Sequence, residues 1–497
     1  MLRKIYEKLE GTLIPDSLSS ADSAGKYQHL YYMLIPFLVV LTSMLFRVTG
    51  IYFIDSDQFW SLAVGQWIVE HGTVPTVDTF SWTVQGLPWR SNSWLFCWMI
   101  YMIDFYWGMY GVAVMIFLVY LVTAYIILAM CIKLNRANIA IWIFTIGMFA
   151  LVYFSATPRA YIFTFVFLAA IIYLIRFKRD TWLIYLIPLI FIFWVNIQTS
   201  VRFGIALIFV EAVVGTVFYK DRRLWPVLIL SFLATLVNPY GLSIWEWVLS
   251  LGSWGGAVSP GTQYISEWQP PNFSDRGILL RYGIAGITAV IASYGAVISY
   301  YKTKVIDRDK LMVFFWFWAM FFYAMTMVRA SHYMLLLWIP YFAAFTPKWL
   351  QNKMRLRPIL IVVLMAALIF NLYIKLPQQP LFRANQITVP AGALEYLLEN
   401  PEAQHNLFND YIFGGFLLAN GIKVFIDARG SVYIENSVME DYVNLTNLRV
   451  NPQEIIDKYD IQSFHIRTGR PLMFYLVTHP NWEPVYVDNA SVIFIKK

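Results

Sequence analysis

The chain has 497 residues, of which 59% are hydrophobic, 18% aromatic and only 13% charged. Soluble domains carry about 25% charged residues, so this balance excludes an ordinary soluble protein and points to the membrane. The net charge of +7 does not indicate nucleic acid, because the lysines and arginines fall in short clusters between apolar segments, the positive-inside pattern.

Residues 1–30 are polar and carry Arg3, Lys4, Lys8 and Lys26, as expected of a cytoplasmic N-terminal segment. No cleavable leader pattern precedes the first apolar run, which would act as its own insertion signal. From 31 to 375, runs near the length needed to cross about 30 Å of hydrocarbon recur. They predict spans at about 31–50, 111–132, 138–154, 160–176, 182–197, 203–219, 224–238, 279–300, 311–328, 333–347 and 358–375. Basic clusters at Lys133/Arg136, Arg176/Lys178/Arg179, Lys220/Arg222/Arg223, Lys302–Lys310 and Lys348–Arg357 fall at alternate ends and define a cytoplasmic side. The opposite side then holds a first outer loop, 51–110, a second, 239–278, and everything after 376. Cys97 and Cys131 both lie in apolar stretches and imply no disulfide framework.

The parity decides residues 93–107, SWLFCWMIYMIDFYW. A crossing there would invert every later loop, so they are expected to lie along the outer surface, with Asp104 and the aromatics at the interface. Residues 57–70 predict a similar surface helix, with Phe59, Leu62, Ala63, Gln66 and Trp67 at helical spacing. After the LPQQP linker, 376–497 read as a small outer α/β domain. HNLFND and KVFIDAR predict strands around the helical run IFGGFLLAN. A further helix and strands follow, with a turn at Asp488-Asn489.

The chemistry-bearing residues of the outer side are few. Asp55 and Asp57 stand at the mouth of the first span, one of the few places where a bilayer-buried chain keeps carboxylates ionised and wet. They read equally as a helix cap in a solvated loop or as functional acids. As functional acids, one is a general base, or both supply hard oxygen ligands to a divalent cation such as Mg or Mn. Arg159, Arg202 and Arg329 each end a different span on that side. A lone outer arginine is an interfacial anchor, but three beside an acid pair form a basin whose guanidinium groups match phosphate. His332, beside Arg329, joins that group, with an interfacial helix end as its plainer reading. Trp60, Arg90, Gln198, Tyr240 and Glu267 complete the candidates as substrate- or acceptor-contacting residues, with a solvated loop as the plainer reading of Glu267. Glu211 lies within an apolar run and is either functional or paired with a neighbouring helix. Asp427 and Arg429 read as a structural pair at a strand end.

The stretch DSDQFW, then SLAVGQWIVEHGTVP, then GLPWRSNSWLFCWMIYMIDFYWG resembles the first outer loop of the GT-C superfamily of membrane glycosyltransferases. That superfamily includes protein O-mannosyltransferases, oligosaccharyltransferases and lipid A aminoarabinose transferases. TPRAYIF, WVNIQTS, ISEWQPPNF and LFNDYIFGGFLL…KVFIDARGSVY are similar to segments of bacterial multipass members of it. The resemblance implies a polyprenyl-phosphate sugar as donor, with its phosphate toward the outer arginines and His332. It also implies Asp55, ahead of Asp57, as the base in an inverting transfer, and a bacterial plasma-membrane location. Where better-known members carry a KPP-like segment this chain has LPWRSNSW, so Arg90 stands in for a lysine and the acceptor type does not carry over. The expected fold is an all-α polytopic membrane domain, GT-C-like, of about eleven transmembrane helices plus two surface helices in the first outer loop, with a small C-terminal extracytoplasmic α/β domain. The expected partners are the lipid-linked sugar, membrane lipids, and a glycan, lipid or protein acceptor. The rival readings are a transporter or flippase for lipid-linked glycans, and a non-catalytic assembly subunit.

Overall fold

Each of the eleven apolar segments forms a helix, since a chain without water nearby must satisfy its backbone groups internally. The computed structural model describes residues 28–50, 53–135, 138–250, 265–304, 307–346, 359–375, 382 and 389–497. The basic N-terminal segment, the 251–264 part of the second outer loop, the 347–358 cluster and the LPQQP linker lie outside them. Among the described residues, Trp94–Leu134, Asn138–Ser155, Val201–Tyr219 and Arg276–Ile298 are long and apolar enough to cross a membrane, and five shorter apolar helices of 10–17 residues accompany them. The chain is an integral membrane protein.

The Ser331–Phe345 helix forms the axis of the bundle. It packs against Asn138–Ser155, Arg276–Thr303, Arg308–Ala324 and Trp94–Leu134, and residues 333–344 are all buried. A helix apolar on every side is stable only when covered all round. Gly147 permits the approach of the neighbouring helix, for a Cβ there would stand 2.5 Å from Ile339. Glu211 is buried and pairs with Arg176, also buried, from the Ile162–Phe177 helix, while its second oxygen accepts from Trp316 at 3.2 Å. Of its two readings, the pairing with a neighbouring helix is the one observed.

Residues 94–134 run as one helix broken at Gly108, whose φ of 57° and ψ of −161° only glycine adopts readily. The break separates 94–107 from the span that follows. Phe105, Tyr106, Trp107 and Tyr110 beside it are all exposed.

The C-terminal residues 389–497 fold as short helices on a four-stranded sheet of order β1-β2-β4-β3. β1 (Leu407–Asn409) lies parallel to β2 (Ser463–Arg467); β4 (Ser491–Lys496) is antiparallel to β2 and to β3 (Trp482–Val487). Asp488 closes the β3–β4 hairpin by accepting from the Ala490 and Ser491 amides at 2.7 Å. The strand expected at KVFIDAR does not form. Val424, Phe425 and Ile426 are fully buried, but the Asn409 side chain satisfies their backbone, accepting from Phe425 N at 2.8 Å and donating to Ile426 O at 2.8 Å. Only a single parallel bridge, Ser81 to Val424, has strand character. The pair Asp427–Arg429 therefore sits in a buried turn rather than at a strand end.

That turn ties the first outer loop to the C-terminal residues. Arg429 reaches Asp427 and Asp78, all three buried, and its guanidinium lies 4.9 Å from the ring centres of Phe80 and Trp89. Thr83 donates to Phe425 O at 2.7 Å and Trp82 to Leu407 O at 3.1 Å. Ala63, Val64, Ile68, Phe80, Val84, Trp89 and Cys97 thus share one apolar core with the C-terminal residues, separate from the core of the bundle, to which Phe96 belongs.

Candidate functional site

The site begins at the helix Ser56–His71. Asp55 is its N-cap, with extended backbone and a side-chain oxygen accepting from the Asp57 amide at 2.9 Å. The same oxygen accepts from Arg159 Nη2 at 2.8 Å, so Asp55 both caps the helix and holds a guanidinium. Asp57, one turn-position on, has Oδ2 3.2 Å from Arg159 Nε. Arg159 comes from the turn between the helices Asn138–Ser155 and Ile162–Phe177 and gives its third nitrogen, Nη1, to Glu267 at 2.7 Å. Glu267 Oε2 lies 3.9 Å from Arg329 Nη1. The two short 3-10 turns carrying Glu267 and Arg329 are joined by a bond from Val328 N to Gln269 O at 2.9 Å. Arg329 also lies over the Tyr161 ring at 5.1 Å, on which His332 stacks at 5.8 Å.

Three carboxylates and two guanidinium groups thus meet at one place. Burial pushes Asp57 up to about 7; the negative charges of Asp55 and Glu267 add to the rise, while Arg159 opposes it. Glu267 is also raised by burial, but Arg159 and Arg329 outweigh that and hold it below the ordinary carboxylate range. Arg159 is pulled down by burial and lifted well above its usual value by Asp57, Asp55 and Glu267, so it stays charged. Three negative charges face two positive ones, and one shared proton brings the cluster to neutrality.

A cavity of about 110 Å³ opens beside this cluster, lined by Gln198, Arg202, Trp268, Tyr323, Arg329 and Tyr333 among others. Arg329, and Trp268 next to Glu267, belong to both. Arg202 and Gln198 therefore lie with Arg329 rather than with Asp55; Gln198 Oε1 accepts from Ser200 N at 2.8 Å.

The remaining candidates are placed elsewhere. Arg90 contacts Ser243 O at 3.4 Å and Glu246 at 3.5 Å, and Tyr240 bonds Ser91 N at 2.8 Å and Pro75 O at 3.1 Å. Both join residues 75–91 to residues 240–246. Trp60 faces the C-terminal residues, and its buried indole N–H has no hydrogen-bond partner among the described residues. Of the stripe expected on the Ser56–His71 helix, Ala63 is buried, Phe59, Leu62 and Trp67 are half-buried against the cores and Gln66 is exposed, while Gln58, Ser61, Val64, Gly65 and Ile68 are buried as well. The helix is gripped from two sides, by Trp94–Leu134 and by Tyr411–Ala419, rather than resting one face on a surface.

Sequence reasoning missed Tyr411. It opens the helix that packs on the acid-bearing helix, and burial, then the charge of Asp57, raise its phenol well above the usual value. No spacing signal connects position 411 with 57. Gly415 of the same helix was visible only as part of an apolar run; a Cβ there would stand 2.5 Å from Ser56 O and 3.2 Å from Trp60 N.

Carboxylates are suitable donors for Mg or Mn. Here, however, Arg159 donates to Asp55 at 2.8 Å and to Glu267 at 2.7 Å, and its Nε lies 3.2 Å from Asp57 as an ion-pair contact without a hydrogen bond, so the guanidinium stands between the three carboxylates. Among the described residues no group of three or more acidic, His or Cys side chains is placed to hold a metal ion. With Arg159 in place the residues do not fit a divalent cation.

No protein family profile and no curated protein matches this sequence. Solved structures match in fold. The archaeal oligosaccharyltransferase AglB from Archaeoglobus fulgidus, in complex with an inhibitory peptide and a dolichol-phosphate, aligns with a TM-score of 0.61 at 11% identity, over 90% of this chain and 70% of that one. The Archaeoglobus fulgidus oligosaccharyltransferase in the apo form aligns with a TM-score of 0.56 at 12% identity, over 89% and 70%. This chain shares the fold of these two structures.

Proposed function

We propose that this protein transfers a sugar from a polyprenyl-phosphate-linked donor to an acceptor on the extracytoplasmic side, with inversion at the anomeric carbon. The observation that carries the reading is the meeting of Asp55, Asp57 and Glu267 around Arg159, next to a cavity edged by Arg202 and Arg329. The fold shared with an enzyme whose structure holds a dolichol-phosphate supports the donor class.

Asp57 is the base in this reading. Its carboxyl titrates at about 7, near the pH at which a general base works best, whereas Asp55 is committed to the helix cap and to Arg159. The acceptor hydroxyl gives its proton to Asp57 as its oxygen bonds to the anomeric carbon. The bond from that carbon to the phosphate oxygen breaks with its electron pair on the phosphate, where Arg202 and Arg329 meet the developing charge. His332 and Gln198 edge the same phosphate. The apolar donor tail lies among the helices, of which eleven cross the membrane in this reading. The helix 94–107 rides the outer interface, where exposed Phe105, Tyr106 and Trp107 suit the headgroup layer. The acceptor is an envelope glycan, lipid or protein, and the membrane is the bacterial plasma membrane.

The test is transfer from labelled lipid donors by the purified wild type, Asp57→Asn and Asp55→Asn. Loss in the Asp57 variant is expected; full activity in both removes the acids from the chemistry.

A further inference from the structure

We propose that the Arg159 guanidinium holds the place of a divalent cation: it is a built-in positive centre for three carboxylates, and removing it turns the cluster into a metal site. The proposal concerns the site described above and takes its functional meaning from the glycosyl-transfer reading.

A guanidinium usually matches one carboxylate with two parallel bonds. Here the two terminal nitrogens donate to different acids, Nη2 to Asp55 at 2.8 Å and Nη1 to Glu267 at 2.7 Å, while Nε lies 3.2 Å from Asp57 as an ion-pair contact without a hydrogen bond. The acids come from two segments of chain more than two hundred residues apart. Single oxygens from separate segments, aimed at one central positive charge, are how carboxylates surround an ion rather than how they pair with an arginine.

Size and charge agree. Adding a C–N bond of about 1.3 Å to these contacts puts the oxygens about 4 Å from the guanidinium carbon. Mg-type ions bind oxygen at about 2.0–2.1 Å and keep several of their waters. An ion at that point, with the guanidinium gone, would take at most one carboxylate directly and reach the others through its waters. With Arg159 present, a dication about 4 Å from a fixed like charge is repelled enough to weaken binding at least about 100-fold. The Arg159 side chain is only 16% exposed and is bonded to Asp55 and Glu267 on two sides, which opposes its swinging out to admit the ion. The positive charge that a metal would supply is therefore already covalently attached, and the wild-type reaction needs no divalent cation.

Manganese binding to the full-length protein, purified in detergent and freed of metal, tests this by the loss of the free-ion signal in electron paramagnetic resonance. The wild type is expected to leave the signal unchanged, Arg159→Met to remove one equivalent, and Arg159→Met with Glu267→Gln to restore it. Arg159→Ala is the second variant, and gel filtration reports whether each is folded. Wild-type binding that Asp55→Asn or Glu267→Gln abolishes overturns the proposal, as does a folded Arg159→Met and a folded Arg159→Ala that bind no ion. Should neither variant fold, the wild-type measurement decides alone, its silence supporting the proposal. None of these readouts requires sugar transfer, so failure here is separate from failure of the enzyme reading. Transfer by wild type, if measured alongside, is expected to survive chelation.

Discussion

The contact between Gly415 and the helix that carries the acids can be perturbed with a single methyl group. In Gly415→Ala the new Cβ would sit 2.5 Å from the Ser56 carbonyl and 3.2 Å from the Trp60 amide, both backbone atoms, and 3.5 Å from Phe59 Cβ. Ordinary contact at a Cβ begins near 3.4 Å, so one of the two helices must retreat by about 1 Å. The neighbouring Gly414 blocks the opposite escape, for it is pressed against Ile426 and Asp427 on its other side. Moving the Ser56–His71 helix displaces Asp55 and Asp57 relative to Arg159, whose turn belongs to the membrane bundle. A misplacement of about 1 Å at a reacting group costs about 100-fold in rate, and overpacking costs about 1–3 kcal/mol of stability. The assay is sugar transfer from a labelled lipid donor together with thermal unfolding of the detergent-solubilised protein. A large loss of transfer with a modest drop in Tm is expected. Wild-type transfer in Gly415→Ala would refute the idea that the C-terminal residues set the position of the acids.

Asp57 sets the pH response. Transfer should rise as pH is raised through about 7, as the cluster loses its shared proton, and should fall again to little in acid. The stability effect has the opposite sense: a carboxyl raised from 3.8 to about 7 on folding favours the folded state below 3.8 and loses that contribution as pH rises through about 7. Asp57→Asn is therefore expected to be more stable than wild type at pH 8, by roughly 1–3 kcal/mol after discounting for screening at a side chain that is partly exposed, and nearly equal to it at acid pH; unfolding at the two pH values checks this. Arg429→Ala leaves Asp78 and Asp427 buried without a counter-charge, which costs about 3–5 kcal/mol, and limited proteolysis should then cut between the first outer loop and the C-terminal residues. Glu211→Ala leaves buried Arg176 with Asp309 at 3.4 Å as its remaining counter-charge and should lower stability by less than the about 3–5 kcal/mol of a fully stranded charge, while the folded fraction keeps its transfer rate.

Among the described residues, hydropathy located the long apolar helices, because length and composition are properties of consecutive residues. The parity also required 94–107 to be set apart from the span after it, and the backbone breaks there, at Gly108. The site was legible in its residue types but not in its pairing. Asp55 and Arg159 are 104 positions apart and Arg159 and Glu267 108, and no local pattern says that the three acids would share one guanidinium. Asp55 was open between a cap and a functional acid, and it is a cap whose free lone pairs also hold Arg159. KVFIDAR has the composition of a strand because it is buried; its hydrogen bonds go to a side chain, Asn409, that a strand pattern cannot foresee. Arg90 and Tyr240 are polar residues of the outer loops with the right character for a site, yet their partners are in the loops themselves.

One comparison tests most directly whether Asp57 is the base. Wild type and Asp57→Asn, reconstituted in lipid vesicles, are supplied with radiolabelled polyprenyl-phosphate sugars, and the release of free polyprenyl phosphate is followed. The account predicts release by the wild type at pH 8 and a loss of at least about 100-fold in the variant. Equal release from both, with each protein folded, would contradict it.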